Sequence, residues 1–303
     1  MIIGLGETVF DIIFKNNQPQ RGVPGGSTFN AMISLGRKLK NCDSASCTMV
    51  TEVGDDHIGD IITQFLKDNG IDTKYVHRHE NTQSHISLAF LDDNNDAQYL
   101  FYKDHAALSM PNVIPQIKSG DIILFGSFFA INPVIRNYVR SFLTTSKEKG
   151  AILYYDINFR ASHKNDIPEI IDNIEENIRL ATVLRGSAED FNILFGATTG
   201  EEAYNRIKDL CNTFIYTDAA KPIQVFTPQG KQTFPVKQIK TVSTIGAGDN
   251  FNAGFCYALY KENLRGDATS YIWQHMPRLI DSGIEFSSEV CQGMDNYVRG
   301  EEG

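Results

Sequence analysis

The stretch TIGAGDNFNAGF, residues 244–255, joins a glycine-rich turn to the start of a helical pattern. Gly246 and Gly248 permit backbone conformations in which several N–H groups point into one hollow. A helix is expected to begin at about Ala247, and the positive end of its dipole would face the same hollow. This stretch therefore predicts a nest that binds an anion at a helix N-terminus.

The carboxylate of Asp249 directly follows this nest, where a bound anion would repel it. The placement makes chemical sense if Asp249 takes the proton of an incoming hydroxyl group while the nest stabilises the developing charge. Phosphoryl transfer to an alcohol requires that arrangement. The other reading, an ordinary helix N-terminus with an acidic first turn, stays open for this stretch taken alone.

The rest of the chain alternates short apolar runs with helical patterns. The expected strands are MIIGL, CTMVTEV, DIILFGS, AILYYDI and ATVLRG. One helical face after the first strand is formed by Phe29, Met32, Ile33, Gly36 and Leu39. Strands that alternate with helices predict an α/β fold, in which a parallel sheet is covered by helices on both sides.

One region breaks the alternation. Residues 84–104, SHISLAFLDDNNDAQYLFYKD, contain two period-two runs joined by a turn rich in Asp and Asn. This pattern predicts a β-hairpin, and the segment from Phe10 to Gln20 could supply a partner strand. We expect a small β-sheet lid, formed by segments at about residues 10–22 and 84–104, on a single domain that spans residues 1–303.

Composition excludes several classes of partner. The net charge of −9 favours neither nucleic acid nor an anionic membrane surface. The five cysteines are scattered and never spaced as CxxC, which fits a reducing cytoplasm rather than a disulfide framework or a structural zinc site. The most apolar stretch, IILFGSFFAI, has about half the length of a membrane span. We therefore expect a cytoplasmic protein.

The first strand ends beside polar candidates. Gly4-Leu5-Gly6 lacks the third glycine of a dinucleotide fingerprint, because Val9 stands in its place. Glu7 and Asp11 lie just past the carboxyl end of this strand, where open α/β sheets bind ligands. Asp11 could equally be a polar turn residue.

The stretch PGGSTFN, residues 24–30, precedes the first amphipathic helix. Gly25 and Gly26 would let a hydroxyl-rich ligand approach the backbone closely. Ser27 or Thr28 could cap the helix, and Asn30 would lie in its first turn. An ordinary capped loop is the alternative interpretation.

Two further strand ends carry charged residues. In VGDDHIG, residues 53–59, Asp55 or Asp56 is a natural N-cap. In DINFR, alternation would put Asp156, Asn158 and Arg160 on one face. The planar fork of an arginine there can bind a phosphate or a carboxylate, and the alternative is a surface ion pair.

Taken together, these stretches resemble the PfkB (ribokinase-like) carbohydrate kinases over nearly the whole chain and in the family's order. PGGSTFNAMISLGR is similar to the N-terminal signature, GDDHIG to GxDxxG, DINFR to DxNxR, and TIGAGDNFNAGF to the C-terminal DTxGAGD signature. The resemblance implies a three-layer α/β/α ribokinase-like fold with a mostly parallel sheet and a β lid. It implies ATP as donor, Mg²⁺ as cofactor and a sugar hydroxyl as acceptor.

The resemblance also implies roles for matching positions. Asp249 would be the general base, and Gly246, Ala247 and Gly248 would form the anion hole. The implied sugar-binding residues are Asp11, Gly25, Gly26, Asn30, Asn158 and Arg160. The implied nucleotide-binding residues are Ser187, Thr217, Thr244, Gly246 and Gly248. The implied magnesium residue is Asp190, acting through water, with Glu189 as second choice.

Three departures from the family's pattern concern nucleotide affinity and cation use. Ser243 stands where the family often has Asp, and Ser187-Ala188-Glu189-Asp190 stands in place of NxxE. The strand-turn YTDAAKPIQVF, residues 216–226, has no glycine. Because the hydroxyl of Ser243 is neutral, we predict that activity depends only weakly on monovalent cations.

Three hypotheses about function follow. The first is a sugar kinase that uses fructose or a related sugar, since DINFR and FYKDHAA (residues 101–107) look more like fructokinases and keto-deoxygluconate kinases than like nucleoside kinases. The second is a nucleoside kinase of the same fold. The third is a weakened sugar- or nucleotide-binding regulator, although a pure binder would not need Asp249. The apolar face of the hairpin is compatible with a homodimer through the lid.

Overall fold

The computed structural model describes residues 1–40, 47–92, 97–102, 110, 113–262 and 268–300. Within these ranges the strands are β1 (Ile2–Leu5), β2 (Val9–Lys15), β3 (Gln18–Gly25), β4 (Cys47–Gly54), β5 (Ile71–Asp72), β6 (Val76–His79), β7 (Ile86–Leu91), β8 (Ala97–Tyr102), β9 (Ile122–Gly126), β10 (Ile152–Asp156), β11 (Val183–Ser187), β12 (Phe214–Thr217), β13 (Ile223–Thr227) and β14 (Gly230–Phe234). The helices are α1 (Ser27–Leu39), α2 (His57–Asp68), α3 (Arg136–Glu148), α4 (Ile167–Leu180), α5 (Ala188–Phe195), α6 (Gly200–Ile207), α7 (Ala247–Lys261) and α8 (Ala268–Cys291).

The main sheet has the order β14-β13-β12-β11-β10-β9-β1-β4-β5, and β6 also pairs with β4. Its strands run parallel from β12 through to β5 and β6, while β13 and β14 form an antiparallel edge. The five strands predicted from apolar runs are confirmed as β1, β4, β9, β10 and β11. They are buried along nearly their whole length, as strands of a sheet covered on both faces must be.

Helices cover both faces of the sheet and produce the three predicted layers. One buried apolar cluster joins the sheet to α1, α2, α7 and α8. A second cluster joins the opposite face to α3, α4, α5 and α6. None of the helices within the described residues has the length and apolar character needed to cross a membrane.

A separate four-stranded sheet forms the lid, in the order β3-β2-β7-β8. The hairpin prediction is confirmed, because β7 and β8 pair antiparallel and β7 pairs with β2. The lid strands cover Val9–Gly25 and Ile86–Tyr102, close to the predicted segments. Residues 93–96 of the turn and 103–107 of the predicted lid stretch lie outside the described residues.

Helix starts follow the sequence signals in two cases and depart from them in one. Helix α7 begins at Ala247, as expected, and Asp56 caps α2 by accepting a hydrogen bond from the Gly59 N–H at 2.7 Å. The prediction that Ser27 or Thr28 caps α1 is wrong. Gly26 occupies that cap position at φ 120°, where a Cβ would lie 2.5 Å from the carbonyl oxygen of Glu7. Only glycine fits this turn, so Ser27 becomes the first helical residue and its hydroxyl is available for another contact.

Candidate active site

The carboxyl ends of β1, β9, β10 and β11 and the inner face of the lid surround one cavity of about 570 Å³. This is where ligands bind in parallel α/β sheets. The cavity is lined by most of the residues singled out in the sequence: Glu7, Asp11, Gly26, Ser27, Asn30, Asn158, Arg160, Ser187, Asp190, Thr244, Gly246, Ala247, Gly248 and Asp249. Folding thus brings together stretches that lie up to about 240 positions apart in the chain.

Asp249 is buried at the cavity wall and is held by two residues of α1. The Ser27 hydroxyl donates to its Oδ1 at 2.7 Å, and the Asn30 amide donates to its Oδ2 at 2.8 Å. Burial raises the pKa of Asp249, while these two hydrogen bonds and the charge of Arg160 oppose the rise. A carboxylate with a raised pKa in a fixed orientation is a stronger proton acceptor than an exposed aspartate.

Asn30 and Asp11 form a second polar group beside Asp249. The Asn30 amide nitrogen donates to Asp249, whereas the buried Oδ1 of Asn30 has no hydrogen-bond partner within the described residues. Gly25 leaves room for the Asp11 carboxylate, since a Cβ there would lie 2.3 Å from Asp11 Oδ2. The Ser87 hydroxyl of β7 donates to the other oxygen of Asp11. Asp11 and Asn30 both line the cavity, and each carries an oxygen that can accept a hydrogen bond from a hydroxyl group.

Burial raises the pKa of Asp11 to about 6 from its ordinary 3.8, against the opposing effects of Ser87 and Arg160. The folded protein therefore binds this proton more tightly than the unfolded chain does. The contribution of Asp11 to stability accordingly declines as pH rises from about 4 to about 6. At neutral pH the Asp11 carboxylate is charged, and its burial lowers the free energy of unfolding.

Asp11→Asn is expected to raise the free energy of unfolding at neutral pH, by at most about 3 kcal/mol, while raising the KM for the acceptor. Stability rises because the variant no longer buries a charge. The KM rises because the variant lacks a carboxylate that can bind a hydroxyl group of the acceptor. Urea unfolding at several pH values measures the effect. The gain should vanish below about pH 4, where the wild-type carboxyl is protonated. The exposed Asp209→Asn serves as control, and stability curves of wild type and Asp11→Asn that stay parallel across this range would contradict the prediction.

The predicted anion hole corresponds to the turn before α7. Gly246 occupies the N-cap in the left-handed region at φ 77°, which glycine adopts without steric cost. A Cβ at Gly248 would lie 3.0 Å from Nη1 of Arg185. The glycine therefore lets a guanidinium lie directly against the helix N-terminus, where its charge adds to the positive potential of the helix dipole.

Arg185 is a site residue that we did not predict from the sequence. It lies on β11, lines the cavity, and is paired with buried Asp156 through Nη1 at 3.0 Å. Asp156 in turn accepts a hydrogen bond from Asn252 of α7 at 2.7 Å. A signal was present in the sequence: an arginine inside the apolar run ATVLRG needs a buried partner. These contacts tie α7 to the sheet beneath the turn at Gly246.

The DINFR stretch only partly follows the expectation. Strand β10 ends at Asp156, and Asn158 takes a positive φ of 38°, so the alternation that would have put three side chains on one face stops there. Asp156 turns under the cavity toward Arg185, while Asn158 and Arg160 line it. Asn158 donates to the Ser127 hydroxyl, and Ser127 also has a positive φ. Paired backbone strain of this kind is typical of functional sites.

The Arg160 side chain is exposed in the cavity, and its guanidinium has no hydrogen bond or ion pair within the described residues. It is close enough to influence the charges of Asp11 and Asp249. An unpaired cation beside two carboxylates is available to bind an anionic or hydroxylated ligand.

The residues expected to hold nucleotide and metal are arranged mainly by local structure. Ser187 and Asp190 form a capping box at the start of α5, and the Phe159 N–H donates to the other oxygen of Asp190 at 2.6 Å. Thr217 accepts a hydrogen bond from Arg185 and is not among the cavity-lining residues, and neither is exposed Glu189. No group of three or more acidic, His or Cys side chains suited to a metal occurs among the described residues.

Four aromatic side chains also line the cavity. Phe128 and His163 stack with ring centroids 4.1 Å apart. Tyr99 and Phe101 of lid strand β8 stack with each other and also line the cavity. Sequence reasoning did not single out these four side chains as site residues, because they come from two short helical turns and a strand that only the folded chain brings together.

An anion held by the N-terminus of α7 and a hydroxyl group held by Asp11 and Asn30 would share this cavity, with Asp249 as proton acceptor. That is the arrangement of a small-molecule kinase. Residues 5–269 match the family model described as pfkB family carbohydrate kinase, and the chain belongs to this family. It is an ATP-dependent phosphotransferase that acts on a sugar or a nucleoside.

Relatives with different substrates resemble the chain about equally. Aminoimidazole riboside kinase of Salmonella typhimurium is 24% identical over 299 residues, which is 98% of this chain and 89% of that protein. The crystal structure of aminoimidazole riboside kinase from Salmonella enterica, with aminoimidazole riboside and an ATP analogue, gives a TM-score of 0.81 at 21% identity and covers 98% and 95% of the two chains. Fructokinase from Vibrio cholerae O395, bound to fructose, ADP and calcium ion, gives 0.80 at 22% identity and covers 97% and 94%.

Proposed function

We propose that the enzyme transfers the γ-phosphoryl group of ATP to a hydroxyl group of fructose or a related sugar. The observation that carries this proposal is the buried Asp249 carboxylate, oriented by Ser27 and Asn30 beside the glycine-built anion hole. A bound anion would repel a neighbouring carboxylate, so this arrangement favours a carboxylate that receives a proton during phosphoryl transfer.

In the proposed reaction, the acceptor oxygen forms a bond to the γ-phosphorus as the bond to the bridging oxygen of ADP breaks. The proton of the acceptor hydroxyl passes to Asp249, and the anion hole at Gly246, Ala247 and Gly248 stabilises the charge on the transferred group. Asp11, Gly25, Gly26, Asn30, Asn158 and Arg160 hold the acceptor. The lid strands cover the cavity and exclude water, which would otherwise compete as acceptor.

Magnesium fits this site if the nucleotide supplies most of its ligands. Mg²⁺ usually keeps several waters and binds one or two carboxylates together with substrate phosphates. Both Asp190 oxygens already accept hydrogen bonds, so contact through water is the arrangement its geometry supports. Bound Mg²⁺ would neutralise phosphate charge. Ser187, Thr217 and Thr244 are the proposed nucleotide contacts.

A riboside with an aromatic base is the second candidate acceptor. The stacked pair Phe128–His163 and the stacked pair Tyr99–Phe101 line the same cavity as Asp249. A flat heterocycle attached to a sugar would gain contact with such rings, whereas a free ketohexose has no group to place there.

An ATP-consumption assay over a panel of sugars and nucleosides separates these candidates. Fructose or a related sugar giving the highest kcat/KM supports the first, and a riboside giving the highest value supports the second. Phe128→Ala should lower kcat/KM for ribosides more than for free sugars. An enzyme that binds ATP and a sugar but transfers no phosphoryl group to any panel member would overturn the proposed function.

We also propose that two copies pair through the outer face of the lid. Phe10, Ile12, Leu88, Leu100 and Tyr102 lie on this face and are partly or fully exposed. Leu100 and Tyr102 are 49% and 58% exposed, and such an apolar patch is typical of an interaction surface.

Leu100→Glu is therefore expected to convert a dimer into a monomer, because it would place a charge in the apolar contact. Sedimentation velocity at micromolar concentration gives the molecular mass. Val134→Glu is the matched control, since Val134 is 65% exposed and lies outside the lid. A wild-type protein that sediments as a monomer would contradict the proposal.

A further inference from the structure

One buried amide connects the anion hole to two distant parts of the chain. Asn250 follows the catalytic Asp249 and is fully buried. Its side-chain nitrogen donates to the carbonyl oxygen of Gly246 at 2.8 Å and to the carbonyl oxygen of Asn296, also at 2.8 Å. Its oxygen accepts a hydrogen bond from the Ser34 hydroxyl of α1. Both N–H donors and the oxygen of the amide group are therefore used, and their partners lie in three different parts of the chain.

The two carbonyl groups converge close to the backbone of the anion hole. A Cβ at Gly246 would lie 3.0 Å from the Asn296 carbonyl oxygen, so this oxygen lies directly beside the N-cap turn. Two carbonyl dipoles that point at one place repel each other unless a positive group lies between them. The N–H groups of Asn250 supply that positive charge. The Asn250 backbone N–H also donates to Gly246, at 2.9 Å, and reinforces the same turn.

The segment that contains Asn296 also touches the acceptor side of the cavity. The Tyr297 hydroxyl donates to the carbonyl oxygen of Pro24 in lid strand β3. Arg21 of the same strand pairs with Asp295 at 3.0 Å. The Val298 N–H donates to the Ser34 hydroxyl at 3.1 Å. Residues 294–298 thus bridge the lid strand and the anion hole, and Asn250 is the point where this bridge meets α7.

We propose that Asn250 is a positioning residue that holds the anion-hole turn in its transferring geometry through the C-terminal segment. Its neutral amide offsets the repulsion between the carbonyl groups of Gly246 and Asn296, as a bound cation could also do. The turn is therefore fixed without a monovalent ion. The inference rests on the kinase activity described above, and it names a residue that touches neither substrate in the proposed reaction.

Asn250→Ala is expected to lower kcat by about 10- to 100-fold while each KM changes by no more than about threefold. The reason is that misplaced anion-hole donors affect the transition state more than the ground state. Hydrogen exchange on the ligand-free protein should become faster in residues 244–251 and 294–298. Asn177→Ala is the matched control: Asn177 is an equally buried amide, bound to Ala130 and Arg136. The Asn177→Ala variant should lose comparable stability but keep the wild-type kcat and the wild-type hydrogen exchange in residues 244–251 and 294–298.

Potassium adds a further readout. Wild-type kcat should change by less than about twofold when potassium is titrated at fixed ionic strength. In Asn250→Asp the two carbonyl groups would face a carboxylate, an oxygen ligand set that suits a hard cation. Potassium should therefore raise the low kcat of this variant several-fold.

Three results would overturn the proposal: a folded Asn250→Ala enzyme with kcat within about threefold of wild type, unchanged hydrogen exchange in both segments, or many-fold activation of wild type by potassium. If Asn250→Ala does not fold, the isosteric Asn250→Asp replaces it, and full activity of that variant without added cation is equally decisive. If no acceptor is phosphorylated by wild type, the proposed acceptor class fails, whereas the exchange measurement still tests Asn250.

Discussion

Asp249→Asn is expected to lower kcat by about 10²–10⁴-fold while both KM values stay within a few-fold of wild type. Asparagine keeps the size and can still be positioned by α1, but it cannot take a proton from the acceptor hydroxyl. Burial raises the pKa of Asp249, so the acidic limb of the wild-type kcat profile should lie above the ordinary value of 3.8 and disappear in the variant. Steady-state kinetics over a pH range measure both effects.

Asp60→Asn is the matched control for this prediction. Asp60 is also an acidic residue in the first turn of a helix, but it lies on α2 and pairs on the surface with Arg78. Its replacement should cost only the helix-dipole contribution, about 0.3–1 kcal/mol, and leave kcat unchanged. If Asp249→Asn also leaves kcat unchanged, then Asp249 only interacts with the dipole of its helix and is not the base.

Arg185→Met is expected to lower the free energy of unfolding by about 3–5 kcal/mol. The pair with Asp156 is buried, with side-chain exposures of 11% and 4%, so removing the guanidinium leaves a carboxylate that water cannot reach. The Asp156 charge would then oppose both folding and anion binding beneath Gly248. Activity should therefore fall together with stability.

A double-mutant cycle tests this explanation. Arg185→Met/Asp156→Asn should recover most of the lost free energy of unfolding, because no charge is left buried without a partner. Arg136→Met provides the comparison, since its partner Glu176 has a side chain that is 32% exposed and can be solvated. Its cost should be smaller. A double variant no more stable than Arg185→Met would refute the role of the unpaired charge.

Much of the fold could be predicted because its signals are local. The strands β1, β4, β9, β10 and β11 are continuous apolar runs, and α1 and α2 repeat their apolar residues at helical spacing. The hairpin β7–β8 is readable from its period-two alternation. The left-handed turn at Gly246 and the start of α7 could be predicted because glycine adopts that conformation without steric cost.

The chemical environment of the site could be predicted only in outline. The resemblance to a kinase family pointed to Asp249, Asn30 and Asp11, which do line one cavity. It did not reveal that Ser27 donates a hydrogen bond to Asp249 instead of capping α1. That outcome depended on Gly26 fitting a turn closed by the Glu7 carbonyl, a contact between segments that are apart in the chain.

The sequence by itself determined which elements form and where charge can collect, because hydrophobic period, glycine conformation and helix dipole act over a few neighbouring residues. Tertiary structure alone decided which polar groups meet. Asn30 reaches Asp249 across 219 positions, and Arg185 finds Asp156 on the neighbouring strand. Such pairings, and the raised pKa values of Asp11 and Asp249, arise from burial in a shared low-dielectric cavity, which exists only once the sheet, α1, α7 and the lid have packed together.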